Sequence, residues 1–236
     1  MKKSMKKVLS PSIARVLKRL HYPLDVMLTC VRWYVAYPLS LRHLEKMMSE
    51  RGLSGSFDGA LLGHEAIASA RKGVSSRKRS VGKNWRMDET YIKVKGQWKY
   101  LYRAVDRDGS TVDFLLRARR DRHAALRYFE QSMVRNGLPE TVTIDQSGAN
   151  LSALKAINAE CESPIRIRQK KYLNNLVEQD HRAIKRRILP MLGFKKFQCA
   201  RTLLMGIELM HMIHKGQMKS HGLQRAPAQL FYSLAA

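Results

Sequence analysis

At Trp85 the sequence changes character, and the segments beyond it restrict the fold more than any other feature. WRMDETYIKV alternates and is rich in β-formers. QWKYLYRAVD is a second strand, Asp106-Arg107-Asp108-Gly109 a turn, and STVDFLLRA a third strand. Three strands joined by short turns make an antiparallel meander. Residues 121–134 then predict a helix with Ala124 or Ala125, Tyr128, Phe129 and Met133 inward, stopped at Asn136-Gly137. TVTID is a short apolar strand ending in Asp145, residues 149–159 a helix, and IRIRQ a last strand. Two helices complete the series, over residues 172–187 and 196–214, separated by Pro190.

The element order is therefore β-β-β-α-β-α-β-α-α: an antiparallel meander, then parallel crossovers. That is the layout of the ribonuclease-H-like α/β fold, the integrase core, in which helices flank a mixed sheet. The fold carries carboxylates on its first strand, at the end of its fourth strand and on a later helix. Here those positions hold Asp88, Asp145 and Glu178.

Each carboxylate has a plainer reading beside the chemical one. Strands disfavour aspartate, so Asp88 needs a reason to be where it is. Asp145, before Gln-Ser-Gly, also reads as a turn residue. In the helix over 172–187, Leu173, Val177, Ile184 and Ile188 make a narrow apolar stripe. Glu178 lies beside that stripe and reads either as a metal-binding carboxylate or as an i,i+4 partner of Arg182 on a solvated face, worth only about 0.3–0.5 kcal/mol. Lys185 is two helical turns from Glu178 and shares its face. Glu89 is expected to point to the opposite face and be solvated. Asp106, Asp108 and Asp113 are expected to be structural, Asp180 to lie at the surface or beside a phosphate, and His181 to pair with a carboxylate or contact DNA.

The 236 residues suffice for one sizeable core with a small extra module. They include 44 Lys+Arg against 19 Asp+Glu, a formal net charge of +25. Residues 1–80 hold 16 basic and 5 acidic residues, and residues 81–236 hold 28 and 14, so the excess is not confined to a tail. A polyanionic partner is implied, nucleic acid before membrane. A ribosomal-type protein is equally basic, but 44% hydrophobic content and long periodic segments point to a folded domain. Cys30, Cys161 and Cys199 are scattered, so neither a zinc site nor a disulfide framework is indicated, and a cytoplasmic, nucleoid-associated location fits. No apolar run approaches the ~18 residues of a membrane span. The basic start MKKSMKKVLS lacks the apolar core of a signal peptide.

Before the sheet, residues 23–38 predict an apolar helix closed by Pro38, and Ser40 caps a second helix that ends at Arg51-Gly52. In a basic context this is the front half of a helix-turn-helix or a plain helical hairpin. Residues 55–76 supply no convincing third helix. The basic linker SSRKRSVGKN marks a boundary. Three regions are expected: a helical DNA-binding region over 1–80, a catalytic core over 81–218 and a C-terminal tail over 219–236.

WRMDETYIKVKGQWKYLYRAVDRDG, TIDQSGAN and YLNNLVEQDHRAIKRRILPMLGFKKF closely resemble the DDE transposases of small bacterial insertion sequences, most closely the insertion-sequence-six family. The likeness covers about residues 20–54 and 77–218. Its motifs are specific: three acidic residues in ordered contexts, 33 positions from Asp145 to Glu178, and a basic residue seven after the glutamate. The resemblance implies that Asp88, Asp145 and Glu178 are a catalytic, metal-binding triad with Lys185 as the associated basic residue. It implies cleavage at terminal inverted repeats and strand transfer to target DNA, giving transposition and co-integrates. Such chemistry suits two Mg²⁺ ions about 3.5–4 Å apart, with Mn²⁺ as a substitute, because oxygen ligands and retained waters let three carboxylates hold both ions once phosphate joins. Double-stranded DNA is the expected partner, and a homodimer is expected because two transposon ends must be paired. Residues 165–196 hold 10 basic and 2 acidic residues, so Lys170, Lys171, Arg182, Arg186 and Arg187 are expected to hold DNA around the site.

The chain departs from the family after ERGLS. A VDHSTVxxW-like recognition helix is expected there, and GSFDGALLG stands instead. Codons for Val-Asp-His-Ser-Thr-Val, read two nucleotides late, can encode Gly-Ser-Phe-Asp-Gly. Residues 55–76 therefore read either as a frame-displaced segment between compensating frameshifts or as ordinary divergence. The first reading leaves an inactive or end-recognition-defective remnant that binds DNA without specificity.

Overall fold

The structure, a computed structural model, describes residues 23–53, 67–68, 70–71, 73–74, 77–170, 175–219 and 225–235. Most of the atypical 55–76 segment and its frame-displacement reading lie outside the described residues. The chain divides into two units, residues 79–185 and residues 1–78 with 186–236. Residues 186–218, assigned to the core from sequence, thus group with the N-terminal helices.

In the first unit, β1 (Asn84–Val94), β2 (Gln97–Asp106) and β3 (Thr111–Arg117) form the meander. Helix α3 (Arg122–Asn136), β4 (Thr141–Ile144), helix α4 (Gly148–Glu160), β5 (Arg166–Gln169) and helix α5 (Asn175–Ile188) come next. The sheet order is β3-β2-β1-β4-β5. The β1–β2 and β2–β3 pairs are antiparallel, and β1–β4 and β4–β5 are parallel. This is the mixed, helix-flanked ribonuclease-H-like sheet that the element order predicts.

Local chemistry accounts for the boundaries. Lys95 and Gly96 take φ of 51° and 75° at the β1–β2 turn, the left-handed pair that matches strand twist. Asp106 closes the next turn: its Oδ1 accepts from the amides of Asp108 and Ser110, and its Oδ2 from that of Gly82. Asp121 caps α3 by accepting from the Ala124 amide at 2.7 Å, and Gly137 ends that helix at φ 81°. Asp113 is held by Arg135 and Gln131, fixing α3 against β3. Asp106 and Asp113 are structural, as expected.

The sheet faces different partners on its two sides. Trp85, Met87, Tyr102 and Ala104 pack with Ala124, Ala125, Tyr128, Phe129, Ala153 and Leu154 of α3 and α4. Because side chains alternate, Asp88 lies on the other face, directly opposite Arg103 of β2.

The second unit contains α1 (Leu24–Ala36), α2 (Leu41–Ser49), α6 (Phe197–His214) and α7 (Pro227–Ala235). Ser40 caps α2 reciprocally with His43, as its sequence position predicts. Helix α7 falls within residues 219–236, which read from sequence only as a tail. Tyr232 on α7 bonds Thr29 and Arg32 of α1. Gly206 permits a close helix approach: a Cβ there would stand 2.7 Å from Val35 Cγ1 and 2.8 Å from Ile67 Cδ1. Gly206→Ala is expected to lower stability by about 1–3 kcal/mol through overpacking, read as a shift in the denaturation midpoint.

Candidate active site

The candidate site grows from three neighbouring elements. The β1–β4 register pairs Arg86 with Thr143. Asp88 follows two residues further along β1, and Asp145 comes directly after the last residue of β4. Helix α5 supplies Glu178. Its buried stripe is Val177, Asp180, His181 and Ile184, the i, i+3, i+4, i+7 positions of one face. Glu178 is half-buried beside that stripe, and Lys185, Arg182 and Arg186 are exposed.

A buried ion pair fixes this helix. Arg103 is fully buried, and its Nη2 donates at 2.9 Å to Asp180 Oδ2 and at 2.9 Å to Thr111 Oγ1. Asp180 therefore corrects its sequence-based reading: it is not a surface residue but the helix's anchor on β2. The composition gave no sign of this, because among so many surface cations a buried arginine looks like any other.

His181 Nε2 stands 3.6 Å from Asp88 Oδ2, too far for a hydrogen bond. Burial, aided by the charges of Arg103 and Lys185, pushes the imidazole down to about 3. It is neutral at physiological pH, so this contact is not an ion pair. Asp88 shifts the other way. Burial, reinforced by the negative charges of Glu89, Asp145 and Glu178, pushes its carboxyl up to about 7. Asp145 and Glu178 are thus close enough to Asp88 to oppose its ionisation.

Asp145 takes the turn role that its sequence position suggests. Its Oδ1 accepts from the Ser147 amide at 3.0 Å, the turn role, while its Oδ2 faces Arg120 Nη2 at 3.7 Å. Arg120 Nε also pairs with Glu89 Oε1, and Glu89 Oε2 accepts from Asn150 Nδ2 at 2.8 Å. The Glu89 side chain is only 3% exposed. The expectation of a solvated Glu89 is wrong: it does point to the opposite face from Asp88, but helices cover that face. Sequence reading missed Arg120. Its signal was the Arg-Arg pair before the Asp121 cap, at the C-terminal end of β3.

Among the described residues, no three carboxylate, imidazole or thiolate groups stand close enough to enclose a metal ion by themselves. For an ion such as Mg²⁺, which keeps waters and takes substrate oxygens, a complete protein cage is not required. The donor set fits such an ion chemically: all three are oxygen donors, and Asp88 is destabilised by negative charge that a cation would offset. Of the expected DNA-holding residues, Lys170 is exposed and Lys171 lies outside the described residues. Arg187 spends its Nε on the Ala36 carbonyl at 3.2 Å.

The model of a DDE domain family matches residues 82–217. The chain is also 35% identical over 198 residues to the transposase for insertion sequence-like element IS431mec of Staphylococcus aureus, covering 83% of this chain and 87% of that protein. The chain belongs to the DDE transposases of the insertion-sequence-six family. A second Staphylococcus aureus relative, the transposase for insertion sequence element IS257 in transposon Tn4003, matches with the same identity and coverage. This transposase is an enzyme of transposition, a polynucleotidyl transferase acting on DNA. Among solved structures, the HTLV-2 integrase catalytic core domain in complex with magnesium is 17% identical, with a TM-score of 0.44, covering 56% of this chain and 88% of that one. The catalytic core domain of BIV integrase is 15% identical, with a TM-score of 0.43, covering 64% and 93%. No helix among the described residues is long and apolar enough to cross a membrane.

Proposed function

We propose that this transposase cleaves DNA at the terminal inverted repeats of its insertion sequence and joins the ends to target DNA, using Asp88, Asp145 and Glu178 to hold two divalent cations, Mg²⁺ or Mn²⁺. The carrying observation is that burial, with the negative charges of Glu89, Asp145 and Glu178 around it, pushes the Asp88 carboxyl up to about 7, a penalty that a bound cation would relieve. Bound cations would supply charge compensation on the phosphate and activation of the attacking and leaving oxygens. Asp88, Asp145 and Glu178 would supply the oxygen ligands for these cations. Lys185, two turns along the helix from Glu178, contacts a phosphate oxygen beside the reacting bond. Arg182, Arg186, Lys170, Lys171 and Arg187 hold the duplex by its phosphates, which positions it without reading sequence. The neutral His181 packs under Asp88 and adds no charge. Two ends must be paired, so the active form is a homodimer, acting on the nucleoid.

The test is strand transfer with purified protein, Mg²⁺ and DNA carrying the element's ends. Products are expected with Mg²⁺ or Mn²⁺ and none after chelation. The unusual 55–76 segment favours a second reading, a transposase that has lost recognition of its own ends. Equal use of terminal-repeat and random DNA in that assay supports this second reading, and strong preference for the repeats excludes it.

A further inference from the structure

We propose that the β1–β2 hairpin, where it adjoins Arg120, is a stacking platform for unpaired nucleotides of a DNA strand. The platform deepens the functional reading above and rests on it for DNA as the nucleic acid. Trp98 is 60% exposed and Tyr91 46% exposed, an unusual outlay of aromatic surface on one small area. Their rings meet edge-on at 6.2 Å, and Tyr91 meets Tyr100 at 5.3 Å. The Lys93 ammonium lies 5.9 Å from the centre of the Trp98 ring. The register pairs Tyr91 with Tyr100 and Lys93 with Trp98, so all four share one face.

Charge selects the occupant. From Thr90 to Leu101 there are three lysines and no carboxylate. A second copy of this chain, at net charge +25, would bring lysines against lysines. A duplex offers phosphates for the lysines but hides the flat faces of its bases. An unpaired strand offers both, and base–aromatic stacking is indifferent to sequence. Tyr91 follows Glu89 on the same sheet face, Glu89 pairs with Arg120, and Arg120 stands 3.7 Å from Asp145. The platform thus lies on the face opposite Asp88 and is linked to the carboxylates through Arg120.

The test compares binding of a labelled single-stranded oligothymidylate with that of a labelled duplex of equal length, by fluorescence anisotropy in metal-free buffer. Trp98→Ala is expected to weaken single-strand binding about tenfold and leave duplex binding unchanged, with Trp98→Phe retaining most of the affinity. Equal weakening of both, or weakening of neither, overturns the platform. So does conversion of a dimer to a monomer by Trp98→Ala in sedimentation, which would assign the face to self-association. No step of this assay uses the metal site, so the platform and the catalytic reading fail separately: selective loss with Trp98→Ala stands even where strand transfer is absent.

Discussion

Replacing Asp88 with asparagine is expected to abolish strand transfer while making the metal-free protein more stable at pH 8. The activity loss is expected to exceed about 10³-fold, because in the proposed mechanism several kcal/mol of transition-state charge stabilisation depend on cations that Asp88 would help to hold. The stability gain follows from the raised carboxyl, at about 7 in the folded protein against 3.8 in the unfolded chain. Below pH 3.8 both states hold the proton and the aspartate costs nothing. Between 3.8 and 7 the folded state retains a proton that the unfolded state has released, so stability falls as pH rises. Above 7 the full penalty applies, on the order of a few kcal/mol. Asp88→Asn should therefore raise the melting temperature at pH 8 and leave it nearly unchanged near pH 3.5. Added Mg²⁺ should raise the wild-type melting temperature at pH 8 and that of the variant far less. A variant less stable than wild type at pH 8 without metal would mean that burial and the neighbouring carboxylates do not disfavour the charged Asp88 as the structure places it.

Breaking the Arg103–Asp180 pair is expected to have the largest effect on stability. Arg103 is fully buried, so Asp180→Ala leaves a cation without its carboxylate in the interior, at a cost of about 3–5 kcal/mol. Replacing both, as Arg103→Met with Asp180→Leu, should recover most of that loss, because a buried ion pair and a packed apolar pair are of similar net value. Denaturant midpoints at constant m-value check both statements. A loss below about 1 kcal/mol for Asp180→Ala would mean that water reaches Arg103 and the pair is a surface contact. The pair also sets the rotation of α5, and with it Glu178. Strand transfer should therefore remain low in the double variant even as stability returns.

These two cases mark where the sequence was legible. Alternation in β1 and β2, the turn at Asp106, the Asp121 cap and the Gly137 stop are local devices, and they led directly to the sheet and its element order. Asp88 stands out in the sequence because strands reject aspartate, and the element order brings Asp145 to the end of the neighbouring strand β4. Glu89 and Asp180 were misread for one shared reason. Their partners, Arg120 and Arg103, lie 31 and 77 positions away, and only the tertiary structure brings them together. A charged residue with a distant partner looks solvated in one dimension. The buried state of His181 was hidden likewise: it lies beside the apolar stripe of α5, and only docking on the sheet converts that flank into interior.

Whether Asp88, Asp145 and Glu178 form one metal-dependent reaction centre is settled most directly by strand transfer. Asp88→Ala, Asp145→Ala and Glu178→Ala are each compared with wild type in Mg²⁺, on the same element-end DNA. Each single substitution is expected to abolish product while DNA binding persists. Activity that survives all three would show that the reaction centre lies elsewhere.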